Sequence, residues 1–558
     1  MARGERLVYL PLGGAGEIGM NMYLYGYGRD GAERWIAVDV GVTFPKMESS
    51  PGVDLIMADP EFVAERAERL EAIFITHAHE DHVGALGTLY PKLRAPVYAR
   101  RFTARIARDK MERAGQDVTR VREVAAWPAQ TDAGPFSVGF LPVSHSIPEA
   151  SALVIDTPAG RIVHTGDLKL DPTPLVGEPF RAGAFREVAE PGVRVLVCDS
   201  TNIFSHHLGR SEATLISEIA DLVKSAKGMV VATTFASNVA RVRTLAEAGR
   251  AAGRSVVMIG RAMNAMKAHA EAAGVLDGFP ALVDLEEAMD MARGDLMVLA
   301  TGSQGERRGA SAFLAGDGYR GLELRPGDLF LFSSKTIPGN EIPVARIHNQ
   351  LSEQGVRVVD GEDGRYHVSG HANRPDLTEV HELLQPGMVI PMHGEHRHLS
   401  EHAALAQANG FASVVAPNGT LVDLSGPEPE IAGNIETGRL YLDGTRLIGA
   451  MDGVVRERLR MAMRGHVTIS VVLEEDGTPA EGTWAEVRGL AEAGEIEGGV
   501  SGALERAIDS DLAKTTRKVL ASDKAVEELV LRGCNRVCKD LLGKKPVTTV
   551  LINRLEPE

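Results

Sequence analysis

Six residues, His77-Ala78-His79-Glu80-Asp81-His82, constrain this chain more than any other stretch. They follow the apolar run Ala72-Ile73-Phe74-Ile75-Thr76 and precede Val83-Gly84-Ala85-Leu86. The run is short, β-branched and bounded by polar residues, which predicts a buried strand whose C-terminal end delivers the histidines into a loop that then enters a helix. His77 and His79 stand two apart, so in an extended segment their imidazoles point the same way and can share one ion. Asp81 and His82 lie a turn further on and can reach a second. A solvated His-rich turn is the alternative, and a lone His pair would favour it; four potential ligands in six residues at a strand end favour metal.

One loop cannot close two coordination spheres, because each zinc takes about four or five ligands and a catalytic site keeps one position open. Three later segments offer ligands at the same kind of place, just after an apolar run: Pro142-Val143-Ser144-His145-Ser146, Ile162-Val163-His164-Thr165-Gly166-Asp167, and Val389-Ile390-Pro391-Met392-His393-Gly394-Glu395. Asp39 ends the strand-like run Trp35-Ile36-Ala37-Val38 and is either a carboxylate that orients a metal-bound His through its free N–H or a simple turn residue.

The set His77, His79, Asp81, His82, His145, Asp167 and His393 resembles the ligand set of the metallo-β-lactamase superfamily in its nucleic-acid-processing β-CASP branch. Within that branch, residues 11–19 (PLGGAGEIG), 301–306 (TGSQGE), 337–341 (IPGNE) and 367–371 (HVSGH) are similar to the bacterial ribonuclease J family, in the family's order and over nearly the whole chain. The resemblance implies an α/β fold: an αββα sandwich, an inserted β-CASP domain of mainly parallel sheet, and a small α+β C-terminal domain. It also implies two zinc ions per chain, with Mn2+ or Mg2+ as alternative working or stimulating ions. His77, His79 and His145 would hold one ion, Asp81, His82 and His393 the other, and Asp167 would bridge both. Asp81 is then catalytic as well as ligating, and Asp39 is favoured as an orienting carboxylate.

The implied reaction is hydrolysis of RNA phosphodiesters by a metal-bridging hydroxide, because metal binding lowers the pKa of water to near 7. A ribose 3′-oxygen leaves poorly unless protonated, so a general acid is needed; by its match to the family, His371 takes that role. His367 and Ser369 would bind the scissile phosphate. Ser237 and Asn238 sit between the strand-like Met229–Thr234 and a helical stretch, where they can hold a 5′-monophosphate or simply cap the helix; the resemblance favours the phosphate. It further implies 5′-to-3′ exonuclease action preferring 5′-monophosphate ends, with additional internal cleavage, in RNA decay and maturation. Single-stranded RNA is the expected partner, other RNA-degrading proteins are candidates, and the C-terminal domain would support a homodimer or homotetramer. Two positions depart from the family: Met20, where Lys is frequent, and Ala240, where His is frequent.

At 558 residues the chain exceeds one typical core. Apolar strands alternating with Gly-rich turns open it, and helical spacing marks 60–70 and 101–115. A strand-helix repeat with near-continuous apolar strands begins past Asp199-Ser200-Thr201-Asn202, the signature of a parallel sheet covered on both faces. Because His393 lies beyond that repeat, the repeat is an insertion and the chain must return to the first domain near residue 350. The expected parts are 1–210 and 349–430 for the sandwich, 211–348 for the insertion, 431–460 as linker, and 461–558 as the C-terminal domain. Three cysteines do not make a disulfide framework and are expected as packed thiols. No apolar stretch is long enough to span a bilayer and no signal core opens the chain, so the expected location is the cytoplasm.

A net charge of −16 argues against a broad basic surface for nucleic acid, but two divalent ions and a few local cations can hold a single strand. A small-molecule hydrolase needs neither the insertion nor the 367–371 segment. A DNA-processing nuclease of the same branch is the nearer rival, and a non-catalytic scaffold would have no reason to keep all seven ligands.

Overall fold

The strand expected before the histidine loop spans Leu70–Phe74. Ala72 and Phe74 face the space between two sheets, and Ile73, pointing the other way, is equally buried; a strand covered on both faces must be apolar throughout. The structure, a computed structural model, describes residues 4–337, 339–361, 364–492 and 497–555. Pro338, within the 337–341 motif, lies outside the described residues.

Leu70–Phe74 belongs to an eight-stranded sheet in the order Glu430–Asn434, Thr420–Asp423, Glu5–Gly13, Met22–Arg29, Arg34–Val38, Leu70–Phe74, Val97–Ala99, Val121–Glu123. A seven-stranded sheet faces it, ordered Gln130–Ala133, Phe136–Pro142, Ser151–Thr157, Gly160–His164, Val193–Asp199, Met388–Met392, Ala412–Ser413. Tyr9, Tyr25, Phe74, Phe140, Ile155 and Val195 fill the layer between them, and each fully buried Phe, Ile or Val contributes about 1.5–3 kcal/mol. On the outer side of the second sheet, helices Ala182–Ala189, Arg374–Leu384 and His396–Ala408 cover Val163, Leu196 and Val389. Helix Arg101–Arg113 packs on the far strands of the first sheet. The result is the αββα sandwich.

Five parallel strands form the inserted sheet, ordered Ser255–Ile259, Leu296–Ala300, Val230–Thr233, Leu329–Phe332, Arg357–Asp360. Val230, Leu299 and Leu331 bury one face and Val231, Val298 and Phe330 the other. The edge strand Arg357–Asp360 carries the insertion past residue 350; with only Val358 and Val359 apolar and neither fully buried, it has little hydrophobic signature. The helix expected over 60–70 is shorter, Glu61–Ala64 followed by a 3-10 turn at Ala67–Arg69, since Arg66 leaves the helical region at φ −116°.

The second compact unit comprises residues 44–56 and 440–558. In it Trp484–Arg488, His466–Leu473 and Val547–Arg554 form a three-stranded sheet. Strict alternation along His466–Leu473 buries Val467, Ile469, Val471 and Leu473 under helices Gly499–Lys514 and Asp523–Leu542. Cys534 and Cys538 sit in that core, and all three cysteines are buried and free. Residues 431–460, read above as linker, contain strands Arg439–Asp443 and Arg446–Gly449 and the start of helix Val454–Arg464. Among the described residues no helix is long and apolar enough to cross a membrane.

Candidate metal centre

Parallel pairing assembles the site. Leu70–Phe74 runs parallel to Arg34–Val38, and Gly160–His164, Val193–Asp199 and Met388–Met392 run side by side in the facing sheet. Loops leaving their C-terminal ends therefore converge, as ligand sites do in such sheets. Asp39 and His393 directly follow strand ends at φ 63° and 50°. Left-handed backbone is uncommon outside glycine, although Asp and His adopt it more readily than most, and it recurs at functional sites.

The histidine loop is extended through His79 and turns helical at Glu80–Val83. His77 Nε2 and His145 Nε2 each lie 3.1 Å from His79 Nδ1. Asp167 Oδ2 stands 3.7 Å from His77 Nε2, 3.6 Å from His145 Nε2 and 3.4 Å from His82 Nε2. His393 Nε2 is 3.2 Å from Asp81 Oδ2, and its Nδ1 is 3.0 Å from Asp167 Oδ1. Two quartets thus gather their ligand atoms within 4.8 Å, His77/His79/His145/Asp167 and Asp81/His82/Asp167/His393, with Asp167 common to both.

Outer hydrogen bonds orient the rings. His82 Nδ1 donates to Asp39 Oδ2 at 2.6 Å, which frees Nε2 to face the cluster. Asp39 is itself held by the Thr76 backbone N–H at 2.8 Å and the Thr76 hydroxyl. His145 Nδ1 donates to Gly370 O at 2.6 Å, again leaving Nε2 inward. Thr201 Oγ1 lies 3.0 Å from His393 Nδ1.

These donors fit divalent cations. Burial, reinforced by neighbouring histidines, pushes His77 and His145 well below the usual imidazole range and His79 down to about 4, so the three histidines of the first quartet offer neutral lone pairs beside the Asp167 carboxylate. Burial also opposes charge on His82, yet Asp167, Asp81 and Asp39 outweigh it and raise its pKa to about 10. Burial opposes charge on Asp81, Asp167 and Asp199, yet the neighbouring histidines outweigh it and hold all three below the usual carboxylate range, so negative charge gathers there, whereas burial raises Asp39. Asp167 Oδ1, buried, makes no aligned hydrogen bond. A cation satisfies both needs at once.

His371 stands beside the cluster, 21% exposed, with its ring centroid 5.2 Å from that of His145. Its Nδ1 is 2.7 Å from Asp199 Oδ2. Burial would lower the His371 pKa, but the Asp199 and Asp167 charges hold it above the ordinary value. Ser369 Oγ accepts from the His371 backbone N–H at 3.1 Å. His367 is not in the cluster; its Nδ1 is 3.1 Å from Arg241 Nη1. Asn238 Oδ1 accepts from the Arg241 backbone N–H at 2.9 Å, the capping alternative, which commits its oxygen to helix Val239–Ala251. Ser237 is half-buried at that junction. Met20 and Ala240, the two departures, are buried.

Besides Thr201, three residues here carry no functional signal drawn from the sequence. In the sequence Asp199 marks only a domain boundary, although it ends an apolar strand as the ligand segments do. Asn21 donates from Nδ2 to Asp81 O at 3.0 Å, approaches His82 Nε2 at 3.0 Å, and accepts from Tyr23 Oη at 2.8 Å; nothing in its sequence context signals this. Arg241 is the third.

Residues 34–185 match the beta-lactamase superfamily domain, 227–351 the ribonuclease J beta-CASP domain, 364–417 the Zn-dependent metallo-hydrolase RNA specificity domain, and 453–555 the ribonuclease J C-terminal domain. Ribonuclease J of Sinorhizobium meliloti is 41% identical over 100% of this chain and 98% of its own. Ribonuclease J of Mycolicibacterium smegmatis is 36% identical over 86% of each chain, and that of Thermus thermophilus 33% identical over 85% of this chain and 83% of its own. A solved structure of a protein of unknown function from Enterococcus faecalis V583 covers 75% of this chain and 100% of its own at TM-score 0.51 and 16% identity, a likeness of fold alone. With the geometry of two histidine-carboxylate quartets and this identity along its whole length, the chain belongs to the ribonuclease J family.

Proposed function

We infer that this member of the ribonuclease J family, a metal-dependent nuclease, hydrolyses single-stranded RNA from the 5′ end, favours 5′-monophosphate ends, and also cuts internally. The observation that carries the reading is the pair of quartets sharing Asp167 beside the His371–Asp199 pair. His77, His79 and His145 would hold one zinc ion and Asp81, His82 and His393 the other, with Asp167 between them; Mn2+ or Mg2+ are alternatives. When bound, the ions supply Lewis acidity toward phosphoryl oxygens and a water acidified to near neutrality.

The chain's own residues do the rest. Asp39, Gly370 O and Thr201 set the ring orientations on which ion spacing depends. Asp199 occupies His371 Nδ1, so the Nε2 proton of His371 is the one available to a departing ribose 3′-oxygen. His367 and Ser369 would meet the scissile phosphate. Ser237, with the Nδ2 group that Asn238 has left after capping, offers neutral donors beside a helix N-terminus to a 5′-monophosphate. Neither Ser237 nor Asn238 carries a counter-charge for two further phosphates. We further propose assembly into a dimer or tetramer through the C-terminal domain, and work in the cytoplasm on RNA decay and maturation.

The test is a time course on one RNA bearing either a 5′-monophosphate or a 5′-triphosphate, with the same sequence as DNA alongside. Mononucleotides released first from the 5′-monophosphate RNA are expected. Equal rates at both ends reject the end pocket, and faster DNA cleavage favours the DNA-processing rival. Light scattering of the full chain reports the oligomer.

A further inference from the structure

Arg241 is wholly buried, and its hydrogen bonds lead to the segment that carries His367 and His371. It stands in the first turn of helix Val239–Ala251 of the inserted domain. Glu212 grips it in a fork, Nε to Oε1 at 2.5 Å and Nη2 to Oε2 at 2.9 Å. Thr244 Oγ1 donates to the same carboxylate at 2.9 Å. Burial would raise the Glu212 carboxyl, but the Arg241 charge holds it below its ordinary value. The pair is therefore ionic and rigid.

The other guanidinium protons point away from Glu212. Nη1 donates to Ser333 O at 2.7 Å and lies 3.1 Å from both Ser333 Oγ and His367 Nδ1, and Nη2 donates to Val368 O at 3.3 Å. Ser333 Oγ passes the restraint on, donating to Tyr366 O at 2.6 Å. At its other end the same segment is tied to the metal cluster, where Gly370 O receives the His145 proton. Residues 366–370 are thus stretched between a buried cation and the candidate metal centre.

A guanidinium carries only donors and does not lose its charge. A lone pair on the ring nitrogen facing it fits best, because an Nδ1–H would set two donors against each other and would have to share the Ser333 carbonyl, which already accepts from Nη1 at 2.7 Å. An imidazolium is excluded as well: burial, then the Arg241 charge, lower the His367 pKa to about 3. Of three ring states, Arg241 favours one.

We propose that Arg241, clamped by Glu212, is a positioning residue that locks His367 as the neutral tautomer with its proton on Nε2, so that it donates that N–H to a phosphoryl oxygen of the strand being cut. This rests on the functional reading above and extends it to how the phosphate is gripped. A donor without net charge holds the phosphoryl group while leaving the charged chemistry to the metal ions and His371.

Removing one partner of a buried ion pair can unfold a protein, so the test relies on His367 first. Glutamine can place an amide donor near the Nε2 position, whereas asparagine reaches only the Nδ1 position. On a single-stranded RNA at saturating zinc, His367→Gln is expected to keep kcat/KM within about tenfold of wild type. His367→Asn should fall about 10–100-fold below it, the cost of a hydrogen bond to a charged group. Arg241→Lys keeps a charge for Glu212 but loses the fork, and should lose about 10–100-fold with bound zinc unchanged. Combined with His367→Ala, it should be no slower than His367→Ala alone. Equal rates for the Gln and Asn variants, or losses that multiply in the double variant, overturn the proposal while leaving the nuclease reading intact. Wild-type protein that does not cut RNA overturns both. If Arg241→Lys does not fold, the Gln and Asn comparison decides.

Discussion

Gly370→Ala tests whether the segment after the insertion is a working part of the metal site. A Cβ at Gly370 would lie 2.9 Å from His145 Cε1, 3.0 Å from Ser146 Oγ and 3.1 Å from His145 Nδ1. Ordinary carbon contacts begin at about 3.5 Å, so the segment must recede by roughly 0.5 Å or push the His145 ring aside. Gly370 is not among the residues at positive φ, so alanine meets no left-handed strain and the contact is the main thing tested. Either movement disturbs the 2.6 Å bond from His145 Nδ1 to Gly370 O. Loss of an outer hydrogen bond of this kind weakens metal binding about 10–100-fold. His371, the next residue, shifts with it, and misplacing a reacting group by about 1 Å costs about 10²-fold in rate. The assay is zinc competition against a graded chelator, followed by cleavage of a labelled single-stranded RNA at saturating zinc. Zinc affinity and cleavage that both match wild type would refute the reasoning.

His371→Ala should slow RNA cleavage about 10²–10⁴-fold, the usual share of general acid catalysis, with bound zinc unchanged by elemental analysis. Asp199→Asn removes the charge that holds His371 above its ordinary pKa. An acid works only while protonated, so its activity is present below its pKa and lost as pH rises through it. The alkaline limb of the single-turnover profile should therefore move to lower pH, and an unmoved limb would transfer the acid role elsewhere. Asn238→Ala deletes a cap bonded at 2.9 Å and should cost about 1 kcal/mol in thermal unfolding. Ser237→Ala should leave unfolding unchanged yet weaken the monophosphate preference more than internal cleavage; a parallel fall in both activities would leave Ser237 no role in end recognition.

The candidate metal loop was legible in the sequence because four potential ligands crowd six residues at one strand end. The inserted sheet was legible too, since strands covered on both faces leave continuous apolar runs such as Leu296–Ala300. Arg357–Asp360 was not, because an edge strand with two half-buried valines carries no such run. Asp199, Asn21 and Arg241 escaped for a different reason. One carboxylate after a strand reads as a turn, and one arginine on a helix reads as a solvated charge. Their partners lie far along the chain, His371 for Asp199 and Asp81 with His82 for Asn21, so only tertiary closure shows what they do. Asn238 is the converse case, where the plain helix-cap reading weighed from sequence describes the bond its oxygen makes.

The central claim is that two ions, held by quartets that share Asp167, carry the cleavage. It is tested most directly by stripping the protein with a chelator, adding zinc stepwise, and following both bound metal and RNA cleavage. The account predicts no cleavage in the stripped protein and recovery that completes at about two equivalents per chain, with His79→Ala never recovering. Full cleavage at one equivalent, or any cleavage in protein shown to be free of metal, would contradict it.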